Sequence, residues 1–192
     1  MQAKGIIFRK AIVILVLLMQ SSWIASAQDK YFTKSGTISF YSDDPMEKIE
    51  AVNRSTSAVL DTKTGNFQFV LLLKGFEFKK ALMQEHFNEN YVESDKFPKA
   101  NFKGVVVNNS SIDYKKDGTY EAQVKGKLSI HGQEKEVATK GSFTVKEGKI
   151  ICNAVFPIKL SDYQVSIPSL VKDKVAEQVR ITVACTLIPL KS

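Results

Sequence analysis

Two histidines, two cysteines and several closely spaced carboxylates are the residues of this 192-residue chain whose types could do chemistry. His86 lies between Glu85 and Glu89, a grouping that on a helix could contribute to a metal site. Such a site needs three or four convergent ligands. His131 is the other imidazole, and its position in a distant turn leaves His86 as a polar residue that fixes a loop by hydrogen bonds. Ser94, His86 and Asp95 are close in sequence, but no nucleophile elbow or oxyanion-hole motif accompanies them. Cys152 and Cys185 have neither the CxxC nor the Cys/His spacing of a metal or redox site. These residues predict no catalytic set, no metal and no enzyme.

The elements that must position them begin with an expected leader. Lys4, Arg9 and Lys10 precede nine apolar residues, Ala11–Met19, and the segment ends in Ala25-Ser26-Ala27. This is the layout of a secretory signal peptide cleaved after Ala27, and the apolar run is far shorter than the roughly 20 residues that span a bilayer. The expected domains are therefore a signal peptide at 1–27 and one domain at 28–192, in a periplasmic or secreted protein. The net charge of +7 then loses three basic residues and becomes 24 basic against 20 acidic, or +4. Lys79-Lys80, Lys115-Lys116 and the Lys172/Lys174 spacing read as solvated faces. The interleaved aromatics and dense basic stripe of a nucleic-acid binder are missing.

Downstream, period-two alternation dominates. Tyr120, Ala122, Val124, Gly126, Leu128 and Ile130 alternate with polar residues, and the pattern repeats over Val137–Val145, Ile150–Leu160 and Val179–Leu187. Asp117-Gly118, His131-Gly132 and Glu147-Gly148 supply turn chemistry between these segments. Further strands are expected near Thr33–Tyr41, Ile49–Leu60, Asn66–Lys74 and Ala100–Asn108, with a turn at Gly65. Lys79–Asn90 and Ser169–Gln178 break the pattern as short helices or ordered loops.

About eight antiparallel strands with one apolar face predict an all-β fold, an eight-stranded antiparallel barrel with one or two short helices; a two-sheet sandwich is the alternative. At that size the interior is either just filled or just able to hold one slender ligand. Inward Ala122, Gly126, Thr139, Gly141 and Ala154 leave space or merely accommodate barrel taper, and alternation alone does not separate the two. Phe67, Phe69 and Leu71 alternate on one strand, and Phe76, Phe78, Leu82, Met83 and Phe87 follow where the chain leaves the sheet. As a group they suit an apolar tunnel with an aromatic mouth. Cys152 and Cys185 take inward positions on strands expected to be neighbours, which suits either a cross-strand disulfide or two small buried thiols.

From Leu82 to Gly104 the chain resembles the YceI-like family of exported lipid-binding proteins. Glu85-His86-Phe87 and Ser94-Asp95-Lys96-Phe97-Pro98, with Phe102, match that family's helical connection into a strand. Gly126-Lys127-Leu128-Ser129-Ile130-His131-Gly132 is similar to its hairpin turn, and Leu160-Ser161-Asp162-Tyr163 to a third motif. The likeness extends over nearly all of the chain after the leader. It implies an elongated lipocalin-like barrel whose channel holds a long polyisoprenoid chain. The family's His-Ser pair on the first strand is absent, since Lys34–Tyr41 reads Lys-Ser-Gly-Thr-Ile-Ser-Phe-Tyr, which implies a different lipid or a different hold on it.

The expected function is that of an exported protein holding a polyisoprenoid or quinone-like lipid, with no other cofactor. Phe67, Phe69, Leu71, Phe102, Val124, Phe143 and Phe156 are the expected channel wall, and Phe76, Leu82, Met83 and Phe87 its mouth. The runner-up is an envelope scaffold or partner-binding barrel filled by its own side chains. Partners are a lipid and no nucleic acid, with a transient membrane-surface contact and a homodimer left open.

Overall fold

The computed structural model describes residues 29–43, 48–167 and 176–190. The expected leader at 1–27 and most of the expected second helix at Ser169–Gln178, with Lys172 and Lys174, lie outside them. Nine strands follow in order: β1 (Lys30–Asp43), β2 (Lys48–Asp61), β3 (Asn66–Leu72), β4 (Glu77–Phe78), β5 (Lys99–Val106), β6 (Gly118–Ile130), β7 (Gln133–Lys146), β8 (Lys149–Lys159) and β9 (Gln178–Pro189). The sheet order is β1-β9-β8-β7-β6-β5-β3-β2, and β2 pairs again with β1 to close the ring. Every pairing is antiparallel. β4 is a two-residue strand on β2, so the barrel proper has eight strands.

The strands form because their side chains alternate. In β3 every second residue is buried, Phe67, Phe69 and Leu71, while Asn66, Gln68, Val70 and Leu72 are exposed. The β6–β7 and β7–β8 hairpins turn on His131-Gly132 and Glu147-Gly148, with φ of 51° and 71°, and 51° and 70°. Positive φ at both residues matches the right-handed strand twist in a two-residue turn, and the glycine bears it without a Cβ clash.

β2 exchanges partners along its length, pairing with β3 at Ser57–Leu60 and with β4 at Ala51–Val52. Asn53 fills the gap: its side-chain NH₂ donates to the Leu72 carbonyl at 2.9 Å and its oxygen accepts from the Ser55 N–H at 2.9 Å. Gly75 passes so close that a Cβ there would lie 2.8 Å from Asn53 Nδ2. These bonds allow the chain to leave the barrel after β3 without stranding buried polar groups.

The excursion carries helix α1 (Ala81–His86), shorter than the expected Lys79–Asn90, which continues as a π-helical turn over Phe87–Tyr91. Asn88 Nδ2 donates at 2.8 Å to the Gln84 carbonyl, the acceptor that the Asn88 N–H would take in an α-helix. Its side chain thus replaces the backbone bond where the helix widens.

The core is uneven. Ala58, Leu60, Ala122, Ile150 and Leu187 pack tightly at the end of the barrel bearing the β2–β3 and β7–β8 turns. At the opposite end two smaller clusters flank the opening, one around Leu73, Phe76 and Val92 and one around Ile158, Tyr163 and Val179.

Candidate functional site

Between the packed end and the opposite rim lies a cavity of about 280 Å³. That is near the lower bound of small-molecule sites, roughly 300–1,000 Å³. Its wall is built from the inward positions of β5 to β9. Val124, Leu128, Thr139, Ala154, Phe156, Ile181 and Val183 all line it and remain only half-buried although they face the barrel interior. Small residues at Ala122, Gly141 and Ala154 face this space without filling it. No Lys, Arg, Asp or Glu is among the described lining residues, and His86 stands there as the one ionisable imidazole.

The floor is aromatic. Phe67 meets Phe143 edge-to-face with ring centroids 5.6 Å apart, and Phe69 stands 4.5 Å from Phe67. At the mouth Phe40 contacts Phe76, Phe78 and Phe87 at 5.4, 5.8 and 5.6 Å, and Phe87 contacts Phe78 at 5.1 Å. Edge-to-face and offset packing of this kind holds rings in place without polar partners. Ser42, also at the rim, accepts a hydrogen bond from the Ala176 N–H at 3.0 Å, tying β1 to the segment before β9.

Nine of the eleven residues expected at the channel line the cavity: Phe67, Phe69, Phe76, Met83, Phe87, Phe102, Val124, Phe143 and Phe156. Two do not. Leu71 is on the inward face of β3 but only 7% exposed, packed with Ala51 behind Leu73, Phe76 and Ala100, which take the lining positions instead. Leu82 is 61% exposed on the outside of α1, because one residue along a helix turns about 100° and Met83 and Phe87 hold the inward face. Sequence reasoning overlooked Ile38 and Phe40 on β1 and Leu128, Ile181 and Val183 on the far wall. Their alternation was visible. What the alternation does not encode is which inward residues meet a neighbour and which meet empty space.

A polar junction braces the rim. His131 Nε2 lies 2.8 Å from Glu93 Oε2, and Nδ1 lies 3.1 Å from the Tyr163 carbonyl oxygen. Both partners are acceptors, so both bonds form together only when the imidazole carries two protons. The Phe97 ring meets the imidazole edge-on at 4.7 Å, and Lys96 lies 3.8 Å from Glu93. The His131 hydrogen bond, then the Lys96 charge, hold the Glu93 carboxyl below its ordinary value. Burial, then the Asp162 charge, push the Tyr163 phenol up to about 12. One side chain in the β6–β7 turn thus joins the segment after α1 to the segment after β8.

The remaining reactive groups do not converge. Asp95 is bound to Lys74 at 2.6 Å, Ser94 is buried apart from the cavity, and His86 stands at its mouth. Among the described residues no three His, Cys, Asp or Glu side chains are grouped so as to hold a metal ion. Cys152 and Cys185 are directly opposed on β8 and β9, both buried, with their sulfurs unbonded. Burial raises the Cys152 thiol well above its ordinary value and Cys185 to about 11, so neither is a thiolate nucleophile at neutral pH.

The described residues thus form a closed eight-stranded antiparallel barrel with an apolar chamber beneath an aromatic rim. The sequence matches the YceI-like domain over residues 21–187, and the chain belongs to that family. No curated protein matches it. Its fold is similar to that of a polyisoprenoid-binding domain from Saccharophagus degradans implicated in plant cell wall breakdown. The TM-score is 0.74 at 14% identity, over 84% of this chain and 99% of that one. It is also similar to Burkholderia cenocepacia BcnA, with a TM-score of 0.64 at 17% identity over 79% of this chain and 95% of that one. The Campylobacter jejuni YceI protein is a third similar structure, with a TM-score of 0.54 at 16% identity over 73% of this chain and 84% of that one.

Proposed function

We propose that this protein holds the tail of a long apolar lipid, of polyisoprenoid or quinone type, and carries, stores or sequesters it outside the cytoplasm with no catalytic step of its own. The observation that carries the proposal is a chamber with an aromatic floor, a half-buried apolar wall and no Lys, Arg, Asp or Glu among its described lining residues. A carboxylate or phosphate drawn past His86 at the mouth would meet no Lys or Arg among the described lining residues and would cost several kcal/mol in lost hydration. The ligand therefore inserts an uncharged tail and leaves its head at the rim. Each buried CH₂ adds about 0.8 kcal/mol without a directional polar contact. The binding attributed to the Saccharophagus degradans domain supports this choice of lipid. An interior filled by its own side chains, as the scaffold reading requires, is disfavoured by the same chamber.

Export rests on the Lys4–Ala27 leader pattern. A lipid of this class is drawn from a bilayer, so a transient contact with a membrane surface belongs to the proposal; a homodimer is not needed for it. The test is native mass spectrometry of the purified protein before and after delipidation. The expected result is a mass difference equal to a lipid recovered in the organic extract. Identical masses with an extract free of lipid overturn the proposal.

A further inference from the structure

Gly104 on β5 and Gly126 on β6 are directly opposed in the barrel wall. This leaves a two-residue stretch of bare backbone facing the interior. The Phe102 ring lies on it: a Cβ on Gly104 would be 2.5 Å from the ring's Cζ, and one on Gly126 would be 2.7 Å from the same atom. A Cβ at either position would also meet backbone, the Lys125 carbonyl oxygen 2.5 Å from one on Gly104 and the Lys103 carbonyl oxygen and Gly104 Cα still nearer one on Gly126, so the close approach of the two strands and the ring share this recess. Phe102 is two residues from Gly104 on the same face of β5 and is paired with Leu128 and Phe69, both of which line the cavity. Its ring is half-buried, so one side rests on glycine and the other faces the chamber.

We propose that Phe102, seated in the Gly104–Gly126 recess, sets how far an apolar chain can enter, and so determines the chain length the protein selects. The inference rests on the lipid-channel reading and adds a length rule to it. The ring tip lies over the recess level with Phe67, which is opposite Gly104, so an entering chain meets Phe102 beside the Phe67–Phe143 floor and stops there. The recess makes this position of the ring accessible, because an aromatic ring in a strand whose neighbours carry side chains stands away from the sheet. The same contact also covers backbone left bare by two glycines. That purely structural role predicts a stability effect and no change in length preference.

The experiment measures the affinity of the purified, delipidated protein for a homologous series of n-alkanols and linear polyprenols, in wild type and in Phe102→Ala, Phe102→Leu and Phe102→Trp. Affinity rises about four-fold per added CH₂ until the chain meets the end of the channel, then levels off. The expected result is that the plateau moves to longer chains in Phe102→Ala, less far in Phe102→Leu, and to shorter chains in Phe102→Trp. Leucine keeps an apolar cover over the glycines, so it reports on length even where alanine fails to fold. A plateau at the same chain length in wild type and in every folded variant overturns the length rule and leaves the channel standing. Wild type that binds no member of the series overturns the channel reading and this inference with it.

Discussion

Val183 and Leu187 occupy the same inward face of β9, four residues apart, yet they do different work. Leu187 is fully buried in the packed end, touching the cluster of Leu60, Ile150 and Phe143, whereas Val183 is half-buried on the chamber wall. Truncating a packed aliphatic side chain loses its transfer energy and leaves a void, about 2–5 kcal/mol for leucine to alanine. Removing methyls that already face empty space forfeits fewer contacts. Leu187→Ala is therefore expected to lower unfolding stability by about 2–5 kcal/mol and Val183→Ala by about 1 kcal/mol, read from denaturant midpoints. Equal losses at the two positions would mean that the chamber is not empty in solution. This distinction was not legible in the sequence, where Val183 and Leu187 belong to one unbroken alternation. Leu71 shows the same gap from the other side: its period-two position is inward, but Leu73, in a 3₁₀ turn, and Phe76, just after it, cover it.

Among the elements, the strands β6 to β9 could be read directly, because an apolar or small residue at every second position, with a glycine in the β6–β7 and β7–β8 turns, leaves little else for the chain to do. β4 and the π-helical turn could not. β4 has two residues and no alternation to detect, and the π turn depends on the Asn88 side chain taking the Gln84 carbonyl. The rim junction was equally invisible, since His131, Glu93 and Tyr163 are far apart in sequence and meet only when three connections fold over one end. It carries a pH signature with a definite sign. The Glu93 carboxyl titrates below its ordinary 4.5 in the folded chain, so its contribution to stability is present above that value and is lost as the pH falls through the folded one. Glu93→Gln is expected to flatten the fall of the melting temperature in this acid window and to leave the curve near pH 7 parallel to wild type. His131→Ala, which strands the Tyr163 carbonyl as well, is expected to cost about 1–3 kcal/mol at pH 6. An acid limb in Glu93→Gln as steep as in wild type would assign the acid sensitivity to other lowered carboxyls, such as Asp61 and Glu121.

At the scale of the whole molecule, the two ends of the barrel divide the labour of stability and capacity. The tight end carries the packing, and the loose end carries the space, the aromatic rim and the polar brace. The ring is closed by β1, which pairs with β2 on one side and with β9 on the other, Tyr31 opposite Pro189. The first strand to be synthesised therefore keeps one edge bare until the last 12-residue strand has left the ribosome. Such a chain cannot complete its fold early. Until β9 is delivered its exposed edges are templates for its neighbours. Ending the chain at Glu177 is expected to leave one edge of β1 and one edge of β8 unpaired and to give oligomers in sedimentation velocity instead of a folded monomer. A monomeric, cooperatively melting product would show that β1 and β8 can close the ring without β9.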